Sequence, residues 1–253
     1  MCPYPSPTLS QLVINPNGST AITNLIQAGI NRYTGPNTVT TYWTCPYGPA
    51  VLQSQDDIDK STAACLEPLI KIQNSKRYDA FLLACYADHP LGAALQARLE
   101  GLPVVSIFEA SVHHALAVLQ PSKRFAILTT GNAYEEQLSR GVTRLLDTKK
   151  VPLSRFAGVV STGVGWSDVE KGIEGIEMVK AKVKEGVRKL LGLGDIGAIC
   201  IGGVILFGME EWIREVCEAE MGRADGQKVI IVDQLEAGVM AAERAMQKVG
   251  QGR

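Results

Sequence analysis

Eight short apolar runs, most of them separated by longer amphipathic stretches, constrain this chain more than any other feature of its sequence. The candidate strands are Gln11–Asn15, Thr38–Trp43, Ala80–Ala84, Val104–Phe108, Phe125–Thr129, Gly158–Ser161, Gly197–Ile201 and Val229–Val232. Helical periodicity fills Ile58–Gln73, Ala133–Leu146, Val169–Leu191 and Leu235–Val249. Strands that alternate with helices form βαβ units, so the expected fold is α/β with parallel sheets. The run Phe81-Leu82-Leu83 is apolar without alternation, which suits a strand covered by helices on both faces. Asn132 and Glu135 have the spacing of a capping box. Pro90 fits a first helical position, with Asp88 and His89 as caps before it.

The chain also repeats itself. Glu109-Ala110-Ser111-Val112 and Glu236-Ala237-Gly238-Val239 both follow a strand, and both read E-A-x-V. Earlier in each half a strand runs into a polar, glycine-containing turn: Ile14-Asn15-Pro16-Asn17-Gly18-Ser19, then Leu128-Thr129-Thr130-Gly131-Asn132. The order is the same both times. Two pseudo-symmetric parallel-sheet halves are therefore expected, 1–119 and 120–253, with the C-terminal helix free to pack back on the first. Ligands of open α/β sheets sit beyond the carboxyl ends of the strands. That places the expected active site in the cleft between the halves.

The same register singles out one cysteine. Cys85 falls at a strand's carboxyl end, where a following helix N-terminus favours a thiolate. Its counterpart in the second half is Gly203, whereas Cys200 falls at the position of Leu82, inside a strand. Cys200 is expected to be a core thiol. No two of the six cysteines form a C-x-x-C pair, and no Cys/His spacing suits zinc, so no metal is expected.

Composition excludes other classes. With 25 Lys+Arg against 26 Asp+Glu there is no basic excess for nucleic acid. No apolar run approaches the ~18 residues of a membrane span, and no secretory signal is visible, so a cytoplasmic protein is expected. Gly163-Val164-Gly165 lacks the third glycine of a dinucleotide loop. Neither a phosphate-binding G-x-x-x-x-G-K-[ST] nor a hydrolase G-x-S-x-G motif occurs. No cofactor is expected. The expected partner is a small-molecule substrate, and a homo-oligomer is compatible with the sequence.

The chain resembles the cofactor-independent aspartate/glutamate/hydantoin racemase superfamily, in particular its hydantoin-racemase-like branch. The resemblance rests on Ile14-Asn15-Pro16-Asn17, Gly48-Pro49, Ala84-Cys85-Tyr86, Asp88-His89-Pro90, Pro103-Val104-Val105, Glu109-Ala110-Ser111, Ile127-Leu128-Thr129-Thr130 and Ser161-Thr162-Gly163. It covers nearly the whole chain. It implies an isomerase in which one cysteine removes a proton next to a carbonyl and a second returns one on the opposite face. Cys85 matches the first. At the second, this sequence has Gly203, followed by apolar Val204-Ile205-Leu206-Phe207.

The expected catalytic residues are Cys85 and His89, the imidazole serving as a base or tuning the thiol. Asp88 reads as a cap, and His113 and His114 as structural or exposed. Asn15, Ser19, Thr129, Thr130 and Gly131 lie in turns whose hydroxyls and N–H groups can hold a carboxylate or an enolate. Asn15 and Thr130 are favoured by the resemblance. Tyr86, Gly202 and Gly203 complete the expected substrate contacts. The expected reaction is Cys85-based acid/base chemistry at a carbon alpha to a carbonyl. Two alternatives stay open: a single-cysteine decarboxylase or cyclase, and a binding protein without turnover.

Overall fold

The computed structural model describes residues 8–251. The first elements are β1 (Leu9–Asn15), α1 (Thr20–Tyr33), β2 (Thr38–Thr44), α2 (Gln55–Lys76), β3 (Ala80–Leu83), α3 (Leu91–Arg98), β4 (Val104–Ser106) and α4 (Ile107–Val118). They are followed by β5 (Arg124–Thr129), α5 (Ala133–Lys149), β6 (Phe156–Ser161), α6 (Trp166–Val169), α7 (Ile176–Leu191), β7 (Ile196–Gly202), α8 (Glu210–Met221), α9 (Arg223–Gly226), β8 (Ile230–Val232) and α10 (Gln234–Gln251). All eight expected strands are present, within a few residues of their expected ends.

They form two four-stranded parallel sheets with the same winding, β2-β1-β3-β4 and β6-β5-β7-β8. The ladders reproduce the internal repeat. In the first sheet Val13 pairs with Leu82, and Leu82 with Val105. In the second, Ile127 pairs with Cys200, and Cys200 with Val232. Leu82 and Cys200 therefore hold equivalent positions, and counting three residues on makes Cys85 and Gly203 equivalent. Two units carry these sheets. One comprises the described residues up to Cys85, His89–Ile107 and the chain from Leu235; the other comprises Tyr86–Asp88 and Phe108–Gln234. The boundary is thus not a single cut at 119/120: nearly all of α4 belongs with the second sheet and nearly all of α10 with the first. The outer bounds at residues 1 and 253 lie outside the described residues.

Each unit has its own apolar core. In the first, Leu12, Ile14, Phe81 and Leu83 pack with Cys65, Leu69, Leu91 and Leu95. In the second, Ala126, Leu128, Ile199 and Ile201 pack with Val183, Val187, Ile213 and Val216.

Local chemistry departs from the sequence reading in three places. The helix expected over Val169–Leu191 is interrupted by a 3-10 turn at Gly172–Gly175, because Gly172 takes φ +58°. Asn132 and Glu135 form no capping box. Asn132 Oδ1 accepts from Ser161 Oγ instead, and Glu135 Oε1 accepts from the Ser161 N–H at 2.7 Å. Asp88 is no cap either: its carboxylate pairs with Arg144 at 2.6 Å. Long-range partners outbid the local backbone in these last two cases.

Candidate active site

In the first unit, β1 and β3 lie side by side and end together, since the Ala84 N–H donates to Ile14 O at 2.9 Å. The chain beyond β1 is held by its own side chains. Asn15 is 1% exposed. Its Nδ2 donates to Asn17 Oδ1 (2.9 Å), Ser19 O (3.0 Å) and Thr23 Oγ1 (2.9 Å), more acceptors than its two hydrogens can serve at full strength. Ser19 caps α1, its Oγ accepting the Ile22 N–H at 3.3 Å. Both side chains, expected to meet substrate, are spent on shaping this loop.

His89 is buried in the same unit. Its Nδ1 accepts the Leu91 N–H at 3.2 Å, which makes it the cap of α3. Its Nε2 lies 3.2 Å from Ser61 Oγ. With Nδ1 accepting, the ring proton sits on Nε2 and is donated to Ser61. Ser61 Oγ in turn donates to Pro16 O at 2.6 Å. The chain Leu91–His89–Ser61–Pro16 ties the turn after β3 to the loop after β1.

Cys85 follows β3 by two residues. Among the described residues it is the only cysteine that is not buried. Burial of the thiol still pushes its pKa up to about 12. The helix dipole expected to counter this is too far along the chain, because α3 begins only at Leu91. Nearby, the Cys65 thiol donates to Pro16 O at 3.7 Å, and burial raises its pKa well above its usual range. The nearness of Cys65 to Cys45 and Cys85 is invisible in spacing, because Cys65 sits in α2 while Cys45 follows β2 and Cys85 follows β3.

In the second unit, Tyr86 is turned into the core. Its hydroxyl hydrogen-bonds to Ser111 Oγ at 2.9 Å, and its ring packs edge-on against Phe108. Thr129 is also buried, its Oγ1 donating to Gly202 O at 2.6 Å. Thr130, Gly131 and Gly203 are only half-buried. Gly202 and Gly203 are there for space. A Cβ on Gly202 would lie 2.7 Å from Ile127 Cγ2 and 3.0 Å from Tyr86 Cε1. One on Gly203, at φ +156°, would lie 2.7 Å from Thr130 Cγ2. Beyond them Val204–Leu206 form a 3-10 turn that drops Leu206 into the core, so this apolar run is only in part a surface. Cys200 is fully buried, its thiol donating to Ser111 O at 3.7 Å.

Sequence reasoning passed over one feature of this edge. Glu210, in the first turn of α8, lies close to Asp233, the residue after β8. Burial, followed by the neighbouring Asp233 carboxylate, raises the Glu210 pKa. Beside them the fully buried Gln234 donates from Nε2 to Gly203 O at 3.2 Å. Twenty-three residues separate the two carboxylates, so no local pattern announces them.

Two α/β units of like winding, with a cysteine just past a central strand of the first, define a duplicated parallel α/β fold. The chain belongs to the Asp/Glu/Hydantoin racemase family, whose model matches residues 12–242. It is 28% identical over 232 residues to the uncharacterized protein C1F7.10 of Schizosaccharomyces pombe, covering 90% of this chain and 88% of that one. It is 29% identical to a hydantoin racemase of Paenarthrobacter aurescens over 143 residues, 56% of this chain and 60% of the relative. Its fold matches the allantoin racemase of Klebsiella pneumoniae with a TM-score of 0.74 at 24% identity, covering 96% of this chain and 89% of that one. No described helix is long and apolar enough to cross a membrane.

Proposed function

We propose that this protein is a cofactor-independent, cytoplasmic isomerase that moves a proton at a carbon alpha to a carbonyl in a small hydantoin-like or amino-acid-like molecule, with Cys85 as a proton carrier. The observation that carries this is the place of Cys85: at the C-terminal end of a central parallel strand, and alone among the described cysteines in not being a buried residue. Ligands of such sheets bind at that end. The family and the hydantoin racemase relative supply the reaction class.

A thiol with a pKa near 12 is protonated at neutral pH, so Cys85 rests as the acid of the pair of proton carriers. It delivers its proton to the reacting carbon and is left as a thiolate, ready to act as base on the opposite enantiomer. His89, with both ring nitrogens occupied, positions the loop after β1 rather than moving a proton.

The test is exchange in heavy water. A panel of hydantoins, α-amino acids and aryl-malonates is followed by NMR and chiral chromatography, with wild type beside Cys85→Ala. Solvent deuterium should enter the alpha position with inversion, and Cys85→Ala should slow this by about 10²–10⁴-fold. Unchanged exchange in Cys85→Ala would sink the assignment. Loss of carbon dioxide in place of inversion would favour the single-cysteine decarboxylase.

A further inference from the structure

Pro16 lies in the loop after β1, and two side chains of one helix grip its carbonyl oxygen. Ser61 Oγ donates to it at 2.6 Å and Cys65 Sγ at 3.7 Å. Both belong to the buried stripe of α2, which runs Ile58, Ser61, Cys65 and Leu69. A spacing of four residues sets the two donors on one face of the helix. The loop after β2 closes on the same oxygen: a Cβ on Gly48 would lie 2.9 Å from Pro16 O and 3.1 Å from Cys45 Sγ. The Cys45 N–H donates to Asn15 O at 3.0 Å, and the Gly18 N–H to Pro49 O at 2.9 Å.

The turn after β3 is tied to this point through the same serine. Ser61 has one proton and gives it to Pro16 O, so it accepts from His89 Nε2 at 3.2 Å. The other ring nitrogen accepts the Leu91 N–H at 3.2 Å. Thr62 Oγ1 lies 3.5 Å from that nitrogen but does not compete for it, since its proton goes to Ile58 O at 2.8 Å. Cys85 and His89 are the two ends of the turn that the first unit holds. The end at Cys85 is fixed by the sheet and the core: the Ala84 N–H donates to Ile14 O, and Cys85 packs against the cluster that contains Cys45 and Cys65. The end at His89 is fixed by Ser61.

We propose that Ser61 is a positioning residue for Cys85: through His89 and the Pro16 carbonyl it sets where the thiol stands against the loop that follows β1. A hydroxyl inside a helix can return its proton to the carbonyl one turn back, as Thr62 does. Ser61 turns its proton away from its own helix, to a residue 45 positions earlier. It is fully buried in an otherwise hydroxyl-free stripe, where an unpaired hydroxyl destabilises, and both its donor and its acceptor are used on the two loops that flank the thiol. This inference rests on the isomerase reading, with Cys85 as the proton carrier.

Proton transfer at carbon tolerates little error in the place of the carrier, and a misplacement of about 1 Å costs on the order of 10²-fold in rate. Two kinds of role for Ser61 therefore leave different marks. A hydroxyl that only fills the core lowers stability when it is lost and leaves the rate of the folded protein alone. A hydroxyl that positions Cys85 lowers kcat in the folded protein and leaves KM nearly unchanged, because its own partners are all protein groups.

The test uses Ser61→Ala, Ser61→Thr and His89→Asn in the full chain, with deuterium entry followed over a range of concentrations of the fastest-exchanging compound of the panel. Ser61→Ala should lower kcat by about 10- to 100-fold and keep KM within about threefold. Ser61→Thr keeps the hydroxyl and should return kcat to within about threefold of wild type. His89→Asn keeps an oxygen to cap α3 but loses the donor to Ser61, so it should slow the reaction as Ser61→Ala does. The double variant Ser61→Ala/His89→Asn should be no slower than the slower single, since both break one relay. Wild-type kcat in Ser61→Ala overturns the inference whatever its stability, and leaves the isomerase reading standing if Cys85→Ala still loses exchange. Single losses that multiply in the double variant overturn it as well. Should Ser61→Thr fail to fold, the double variant decides alone. Wild type that exchanges nothing overturns both the isomerase reading and this inference.

Discussion

Leu82 and Cys200 occupy the same place in two sheets, and each is matched by the helix it faces. Leu82 reaches within 3.2 Å of where a Cβ on Gly238 of α10 would lie. Cys200 donates its thiol to the backbone of Ser111 of α4 at 3.7 Å. Gly238 and Ser111 are themselves equivalent in the E-A-x-V repeat. A long side chain thus meets a glycine in one unit, and a short one meets a serine in the other. The repeat conserves the joint and redistributes its volume, as dense packing demands.

That comparison predicts unequal costs. Leu82→Ala removes a fully buried side chain, and the glycine opposite cannot fill the gap, so it should cost about 2–5 kcal/mol. Cys200→Ala removes one sulfur from the equivalent place and should cost about 1 kcal/mol, with deuterium exchange unchanged. Urea unfolding of the two variants beside wild type measures both. Equal costs would mean that the joints differ in more than volume, and lost exchange in Cys200→Ala would give that thiol a role denied to it here.

The second comparison is between Cys85 and Gly203. If Gly203 were merely a lost cysteine, restoring it would add a proton carrier. The backbone argues otherwise: Gly203→Cys puts a side chain at φ +156° against Thr130. Backbone strain of that kind costs about 1–3 kcal/mol. The variant should be less stable by that amount and should gain no inversion. A stable variant that inverts faster would show that the loop after β7 still fits a thiol.

The sequence carried most of the frame because strands and repeats are local signals. Continuous runs such as Phe81–Leu83 and turns such as Asn15–Ser19 leave their mark within a few residues. The Cys85/Gly203 equivalence was readable for the same reason, since register survives in spacing. What escaped was decided at long range. Asn132 looks like a cap until Ser161, from the neighbouring strand, claims its oxygen. Asn15 and Tyr86 look like substrate contacts until their partners Thr23 and Ser111 take them inward. The Cys85 thiol looked activated because a helix follows it, but burial outweighs a dipole six residues away. Glu210 and Asp233 come together only when α8 returns to the end of β8.

Asp88 offers the smallest test of the same contrast between local and distant partners. Its place before Pro90 reads as a cap, yet Arg144 grips its carboxylate with Nε at 3.3 Å and Nη2 at 2.6 Å and reaches Glu109 at 3.1 Å. The arginine side chain is 51% exposed, so solvent screens most of the attraction. Such pairs contribute about 0.2–1 kcal/mol, and two-pronged geometry favours the upper end. A double-mutant cycle of Asp88→Asn and Arg144→Ala should therefore return a coupling of about 0.5–1 kcal/mol that shrinks in 1 M salt, where charges are screened over roughly 3 Å. A cap would behave differently. Its stabilisation would reside in Asp88 alone, the cycle would close at zero, and salt would leave it almost untouched.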